Sequence, residues 1–204
     1  MPNNSIKAII FDMGGVFVQT MDREPRTYLA ERLNLSYDEL SQIVFGSETA
    51  RKATVGELDE KDHWVFLADH FRLSMEEMDE FWNEFWGGDN LDKQLVDFAK
   101  TLKPDYKVAL LSNAWSGARD LLSRKFGFLD IFDVSVFSAE VKMAKPDEKF
   151  YNWMLKQLDI RPREAIFVDD FIENIKAAQA MGINTVQFLD TKQTIKDIKQ
   201  ILGS

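Results

Sequence analysis

The sequence of 204 residues contains no cysteine, which excludes a disulfide scaffold, a zinc site with cysteine ligands and catalysis by a thiol. Basic residues are outnumbered, with 25 Lys and Arg against 34 Asp and Glu and a net charge of -9. Proteins that bind the phosphate backbone of nucleic acids rely on clustered Lys and Arg, and this sequence has no such cluster. We therefore expect no nucleic-acid partner.

Long hydrophobic runs are also absent. No stretch approaches the roughly 18 apolar residues of a membrane span, and residues 1–5 lack the basic and apolar regions of a signal peptide. Hydrophobic residues nevertheless make up 45% of the chain, which is enough to form a core. These features predict a soluble, cytoplasmic protein with no membrane partner, and they give no signal about its oligomeric state.

Short apolar runs that stop at polar residues predict buried strands. They cover residues 8–11 before Asp12, 108–111 before Ser112 and Asn113, and 165–168 before Asp169 and Asp170, and a further strand is predicted at 185–188. Helical patterns alternate with them at 117–126, 148–158 and 173–181, and a last helix capped by Asp190 runs through residue 201. This alternation predicts an α/β fold whose parallel sheet is covered on both faces and gathers ligands at the carboxyl ends of its strands.

The stretch from about residue 17 to residue 92 has a different pattern. Helical periods occur at 22–33, 36–44, 58–70 and 74–86, with no strand pattern between them, which predicts a helical insert. Its Trp and Phe residues recur at helical spacing and are expected to pack the bundle. His63 and His70 are too far apart on one helix to share a metal ion, so we expect them to lie in the core or on the surface.

The polar residues at the strand ends form a chemically coherent set. An Asp, a Ser or a Lys at such a position is by itself equally typical of a helix cap or a solvated loop. Together, Asp12, Asp169 and Asp170 would bring three carboxylates close to one another, and oxygen ligands without His or Cys select a hard cation such as Mg²⁺. Ser112 and Lys145 add a hydroxyl and a positive charge, which suit a bound phosphate.

Four motifs in order along the chain resemble those of the haloacid dehalogenase superfamily. They are Asp12-Met13-Gly14-Gly15-Val16, Leu110-Leu111-Ser112-Asn113, Lys142 to Asp147, and Phe167 to Asn174. The resemblance implies a Rossmann-like, three-layer α/β core formed by residues 1–16 and 96–204, and a helical-bundle cap domain formed by residues 17–95. Within the superfamily, the Asp-x-Gly-x-Val form and the segments Val44–Ser47 and Gly56–Leu58 most resemble the group that includes bacterial α-glucose-1-phosphate phosphatases.

The resemblance also implies a role for each residue of the set. Asp12 would be the nucleophile that forms an aspartyl-phosphate. Mg²⁺ would be held by Asp12, Asp170 and the carbonyl of Gly14, with Asp169 as a direct ligand or one step removed. The phosphate would be held by Ser112, by Lys145 and by the backbone N–H groups of Asn113 and Ala114. Asn174 would orient the loop or a water on the metal.

Gly14 departs from the usual phosphatase pattern, which carries there a second Asp that acts as general acid and base. Without that carboxyl group we expect a preference for phosphates with good leaving groups, such as sugar 1-phosphates, acyl phosphates or aryl phosphates. Glu48 and Glu57 of the cap are candidate replacements for the missing acid. The resulting prediction is a Mg²⁺-dependent phosphatase acting on a small phosphorylated metabolite. The alternatives are a non-catalytic phosphate-binding protein and a 2-haloacid dehalogenase.

The predicted cap carries nearly all of the negative charge. Residues 17–95 contain 8 Lys and Arg against 18 Asp and Glu, a net charge of -10, which leaves +1 for the rest of the chain. An acidic cap disfavours long polyanions and agrees with a small substrate. Phe17, Arg23, Arg51 and Trp86 are the candidates for residues that select the leaving group.

Overall fold

A five-stranded parallel sheet forms the centre of the computed structural model, which describes residues 6–203. The strand order is β5-β4-β1-β6-β7. The strands are β1 (Ala8–Phe11), β4 (Lys107–Ser112), β5 (Val134–Phe137), β6 (Ala165–Asp169) and β7 (Asn184–Gln187). The four predicted strands are confirmed. Residues 1–5, on which the expectation about a signal peptide rests, lie outside the described part of the chain.

The register of the sheet explains why the polar residues gather. Phe11 pairs with Leu110 of β4 and with Val168 of β6. Asp12 therefore follows its strand at the level of Asp169, and Ser112 lies one residue further along β4. Because the strands are parallel, all of these side chains leave the sheet at the same edge.

Helices cover both faces of this sheet, which confirms the three-layer α/β core. Alternate residues of β1 enter two separate hydrophobic clusters, Ile9 and Phe11 on one face and Ala8 and Ile10 on the other. The first face packs against α6 (Lys93–Leu102), α7 (Ala118–Lys125) and α11 (Thr191–Leu202), and the second packs against α9 (Glu148–Leu158) and α10 (Ile172–Ala180). Asp190 caps α11 by accepting from the backbone N–H of Gln193, as the sequence predicts.

The insert is a helical bundle with its own hydrophobic cluster. Its helices are α1 (Glu24–Arg32), α2 (Tyr37–Gly46), α3 (Glu48–Thr54), α4 (Glu60–Phe71) and α5 (Met75–Phe85). Capping boxes at Ser36 and Ser74 define the starts of α2 and α5, since each hydroxyl accepts from the third helical N–H while the Glu at that position accepts from the serine N–H.

The insert also contains two short strands, outside the predicted helices, that the sequence pattern did not reveal. Residues Val18–Thr20 (β2) pair in antiparallel fashion with Asp89–Leu91 (β3) and form a two-stranded sheet where the chain enters and leaves the bundle. These strands have three residues each, too few to show an alternating pattern. The pairing places the two connections to the core side by side, and we propose that the cap ends there, because α6 packs on the core and runs through residues 95 and 96.

Within residues 6–203, no helix has the length and apolar character needed to cross a membrane.

Candidate active site

Asp12 lies at the carboxyl end of the central strand and is 7% exposed. Its Oδ1 atom accepts a hydrogen bond from the backbone N–H of Met13 at 2.7 Å and pairs with the Nζ atom of Lys145 at 2.7 Å. Burial raises the pKa of Asp12 to about 7, an effect that the positive charge of Lys145 opposes and the negative charge of Asp169 reinforces. The central carboxylate is thus held in a fixed orientation but is costly to ionise without further positive charge.

Lys145 connects two of the three acidic residues. Its Nζ atom lies 2.7 Å from Asp12 and 2.7 Å from Oδ2 of Asp169, and only 5% of the residue is exposed. Asn113 fixes the backbone of this lysine, because its Oδ1 atom accepts from Lys145 N at 2.8 Å while its Nδ2 atom donates to Lys145 O at 2.9 Å. The loop after β4 therefore positions the lysine, a side-chain role for Asn113 that the sequence pattern did not reveal.

Asp169 is completely buried, and hydrogen bonds engage both of its oxygens. Oδ1 accepts from the backbone N–H of Phe171 at 2.8 Å and from Nδ2 of Asn174 at 3.0 Å, while Oδ2 accepts from Lys145 and, at 3.1 Å, from the same Nδ2 atom. Asn174 thus orients Asp169. This contact is more specific than the sequence-based interpretation, in which Asn174 orients the loop or a water.

Asp170 faces Gly15 across a very short distance. Gly15 has φ +77°, and a Cβ atom at this position would lie 2.3 Å from Oδ2 of Asp170. Only glycine accommodates both the left-handed backbone and this close approach. The Oδ1 atom of Asp170 is buried without a hydrogen-bond partner among the described residues, and burial raises the pKa of this group to about 6.

The acidic cluster fits a divalent cation. One carboxylate oxygen from each of Asp12, Asp169 and Asp170 lies within 4.8 Å of the others. A single lysine leaves the group of three carboxylates with excess negative charge. Burial is the main cause of the raised pKa values of Asp12 and Asp170, and the negative charge of Asp169 adds to it. Oxygen donors of this kind, including the unpartnered atom of Asp170, suit Mg²⁺. Gly14 is exposed beside them in the loop after β1.

Ser112 ends β4 with a completely buried side chain whose hydroxyl has no hydrogen-bond partner within residues 6–203. An unpaired buried hydroxyl is unfavourable, so this group is free to pair with a bound water or a ligand. The expected contribution from the N–H of Ala114 is wrong, because that group donates to Oγ of Ser138 at 2.9 Å. Ser138, which the sequence analysis missed, also donates to the carbonyl of Thr54 at 2.6 Å and so connects the cap to this loop.

The residues proposed to select the leaving group have different positions. Phe17 is completely buried and packs against Phe11, Phe128 and Phe132 of the α/β core, so the expectation that it selects the leaving group is wrong. Arg23 and Arg51 are exposed; Arg23 stacks on Tyr37 with its guanidinium carbon 4.0 Å from the ring centre, and Arg51 donates to the carbonyl of Gly46 at 2.6 Å. Trp86 belongs to a group of aromatic rings that also contains Trp115, which lies in the α/β core and not in the cap.

The candidate replacement acids point to the surface. Glu48 is exposed and pairs with Lys52 at 2.7 Å, and Glu57 is also exposed. His63 is completely buried, as one of the two expected outcomes had it: Nδ1 lies 2.8 Å from the hydroxyl of Thr49 and Nε2 lies 3.0 Å from the carbonyl of Val44. Burial lowers the pKa of His63, which favours the neutral ring. The other histidine, His70, is exposed.

Comparison with known proteins places this geometry in a family context. The sequence model described as haloacid dehalogenase-like hydrolase matches residues 6–182. A sesquiterpene phosphatase from Aspergillus oryzae is 30% identical over 200 residues, which cover 98% of each chain. A D-ribitol-5-phosphate phosphatase from Bacteroides thetaiotaomicron is 27% identical over 215 residues, covering 98% of this chain and 100% of the relative.

The fold has a close counterpart among solved structures. A HAD family enzyme from Bacteroides thetaiotaomicron, crystallised in complex with magnesium and inorganic phosphate, superposes with a TM-score of 0.74 at 24% identity. The alignment covers 89% of this chain and 93% of the other.

Proposed function

Because the chain belongs to the haloacid dehalogenase-like hydrolases, we propose that it is a Mg²⁺-dependent phosphatase that hydrolyses a small phosphorylated metabolite through an aspartyl-phosphate on Asp12. One observation carries this proposal. Lys145 pairs with Asp12, and one carboxylate oxygen of Asp12 lies within 4.8 Å of an oxygen of each of two further carboxylates. Two relatives are named as a sesquiterpene phosphatase and a D-ribitol-5-phosphate phosphatase. These names support hydrolysis of a phosphate ester, but they do not identify the alcohol that this chain would release.

The chemistry requires a nucleophile and three phosphate-binding groups from the chain. A carboxylate oxygen of Asp12 attacks phosphorus, the bond from phosphorus to the leaving oxygen breaks, and the leaving alcohol takes a proton from water. A water molecule then attacks the aspartyl-phosphate, which releases inorganic phosphate and restores Asp12. Lys145 pairs with the phosphoryl group and with Asp12, and the buried hydroxyl of Ser112 donates to a phosphoryl oxygen, as does the backbone N–H of Asn113.

Asp12, Asp170 and the carbonyl of Gly14 would hold Mg²⁺, with Asp169 next to them. When bound, Mg²⁺ neutralises charge on the phosphoryl group and lets one anion approach another. The hydrogen bonds that already engage both oxygens of Asp169 favour a position for this residue one step removed from the ion, where it orients Lys145.

Phosphate release from a panel of phosphorylated metabolites, with Mg²⁺ and with EDTA, tests the proposal. We expect turnover only with Mg²⁺ and its loss in Asp12→Asn. Asp79→Asn makes the same chemical change at an exposed position of α5 and should retain activity. Equal activity in the two variants would contradict the role of Asp12.

Two further measurements separate the alternatives. Stabilisation by Mg²⁺ and beryllium fluoride without turnover of any phosphate would favour a phosphate-binding protein. Release of halide from 2-chloropropionate without Mg²⁺ would favour a dehalogenase.

Gly14 bears on the leaving group, because glycine has no side chain that could protonate it. A Cβ atom at this position would meet no atom within 4 Å, so the space is open to water or to a longer side chain. We expect wild-type turnover of glucose 1-phosphate and p-nitrophenyl phosphate to exceed that of glucose 6-phosphate. In Gly14→Asp we expect this preference to narrow, since general acid help contributes on the order of 100- to 10,000-fold to poor leaving groups. A wild-type preference for the 6-phosphate would defeat the idea.

A further inference from the structure

Trp115 lies in the loop that follows the phosphate-binding end of β4, three residues after Ser112. Three residues of extended chain span at most about 11 Å, so this ring is anchored close to the proposed phosphate site. Although Trp115 belongs to the core, it packs against the hydrophobic cluster of the cap. It is therefore an apolar side chain at the junction between the catalytic loop and the cap.

Phe45 and Trp86 of the cap join Trp115 to form what we call the aromatic patch. The ring centre of Phe45 lies 5.6 Å from that of Trp86 and 6.0 Å from that of Trp115. Phe45 is nevertheless 45% exposed, although aromatic rings contact it on two sides. The patch thus offers uncovered ring surface rather than a filled core.

Neighbouring rings, one of them the buried His63, hold the patch in place. His63 contacts Trp115 at 4.8 Å between ring centres and bonds to the carbonyl of Val44, next to Phe45. Trp82 packs against both tryptophans, 6.2 Å from Trp86 and 6.1 Å from Trp115. A surface supported in this way is pre-organised, so a ligand that stacks on it loses little to ordering.

Hydrogen bonds among the described residues tie the cap to the core around the patch. Lys125 of α7 donates to the backbone carbonyl of Trp86 at 3.2 Å, and Ser138 donates to the carbonyl of Thr54. The patch therefore keeps its position relative to the loop that follows Ser112.

The composition of the patch determines which leaving group it suits. Its side chains carry no charge and no hydroxyl group, and their only hydrogen-bond donors are two indole N–H groups. A sugar would expose several hydroxyl groups that such a surface could not pair, whereas an apolar or aromatic group would gain by stacking on it. We propose that Phe45, Trp86 and Trp115 receive the leaving group, and that the preferred substrates are aryl phosphates, the phosphate monoesters of apolar phenols.

This inference rests on the proposed phosphatase function and names its substrate class. It also agrees with the absence of an acid at position 14, because phenols leave readily without protonation. Gly14 leads us to expect substrates with good leaving groups. Among these substrates, the aromatic patch favours aryl phosphates over sugar 1-phosphates.

A series of 4-alkylphenyl phosphates tests the proposal, because their phenols differ little in acidity while their apolar surface grows. From phenyl to 4-ethylphenyl to 4-butylphenyl phosphate we expect kcat/KM to rise about two- to fourfold per methylene group. All three should exceed glucose 1-phosphate. A flat or falling series, or a preference for glucose 1-phosphate, would overturn the proposal.

A variant of Phe45 tests whether the aromatic patch causes the preference for longer alkyl chains. In Phe45→Ala, the ratio of kcat/KM for 4-butylphenyl phosphate to that for phenyl phosphate should fall about three- to tenfold. Met75→Ala, which truncates another exposed apolar side chain of the cap, should keep the wild-type ratio. Inhibition by inorganic phosphate, which carries no leaving group, should persist in both variants. An unchanged ratio in Phe45→Ala would show that Phe45 does not contact the leaving group.

Binding to Asp12→Asn, which does not depend on turnover, separates this inference from the proposed function. Calorimetric titration with the same three esters in the presence of Mg²⁺ should give tighter binding as the alkyl chain grows. If that order holds while the wild type releases no phosphate, the phosphatase function fails and the apolar site stands. Equal affinities alongside a wild type that is an active phosphatase would reject the apolar site alone.

Discussion

Gly15 is the residue at which backbone conformation and the acidic cluster constrain each other. In Gly15→Ala the new methyl group would collide with the carboxylate of Asp170, from which a Cβ atom would lie only 2.3 Å away. The substitution also forces alanine into φ +77°, at a cost of about 1 kcal/mol or more. We expect a lower free energy of unfolding in urea and a loss of both Mg²⁺-dependent stabilisation and phosphatase turnover.

Gly182 supplies the matched control. It has φ +82°, but a Cβ atom there would meet no atom within 4 Å. Gly182→Ala should lose a similar amount of stability and keep Mg²⁺ binding and activity. If both variants bind Mg²⁺ equally well, the close approach of Gly15 to Asp170 does not shape the metal site.

At the residue scale, the sequence predicts most reliably those groups whose position follows from a strand. Asp12, Ser112 and Asp169 come together because they end or follow paired parallel strands. Contacts that depend on the path of a loop were not predictable in this way. The bond from the N–H of Ala114 to Ser138 and the placement of Trp115 against the cap are of that kind.

The loop after β4 and the loop before α9 act as one unit, because the side chain of Asn113 bonds to both backbone polar groups of Lys145. In Asn113→Ala these groups lose their partners, which should lower the free energy of unfolding by about 1 to 3 kcal/mol. Lys145 should also lose its fixed position beside Asp12, so kcat should fall by a larger factor than the change in stability accounts for. Urea unfolding and steady-state kinetics measure the two effects.

Asn184→Ala is the control for this element. The side chain of Asn184 donates to the carbonyls of Arg163 and Ala165, both at 3.0 Å, at the amino ends of the strands. The two substitutions remove the same amide group and two backbone hydrogen bonds each. The control should lose stability and keep kcat, and an equal fall of kcat in both variants would show that the contact to Lys145 has no special role.

At the element scale, the parallel sheet was predictable where strands are continuous apolar runs. The edge strand β5 has only four residues, two of them half-buried, and its polar Ser135 interrupts the run, so no comparable signal marked it. The strands β2 and β3 depend on pairing across the whole insert, a long-range contact that local periodicity does not report.

For the molecule as a whole, the charge distribution separates the cap from the site. The cap carries the net negative charge of the chain, whereas the core concentrates three carboxylates at one point beside a single lysine. Folding must therefore bring like charges together in a buried place. A bound proton or a bound cation can relieve that repulsion.

This competition predicts how pH controls stabilisation by Mg²⁺. The pKa of Asp12 is about 7 and that of Asp170 about 6 in the folded protein, both above their usual value of 3.8, with burial as the main cause. Between pH 4 and pH 7 the folded state thus binds more protons than the unfolded state, so these two groups make a contribution to the free energy of unfolding that falls as pH rises. At the proposed site, Mg²⁺ would bind the ionised carboxylates and would have to displace those protons at low pH.

We therefore expect Mg²⁺ to raise the melting temperature only slightly at pH 5 and progressively more up to about pH 7.5. Melting curves with Mg²⁺ and with EDTA across this range measure the effect. Asp12→Asn removes the group that titrates near pH 7, so the remaining pH dependence should shift to the lower range in which Asp170 ionises. A Mg²⁺ effect that is as large at pH 5 as at pH 7.5 would mean that the ion does not bind at these carboxylates, because no proton would then compete with it.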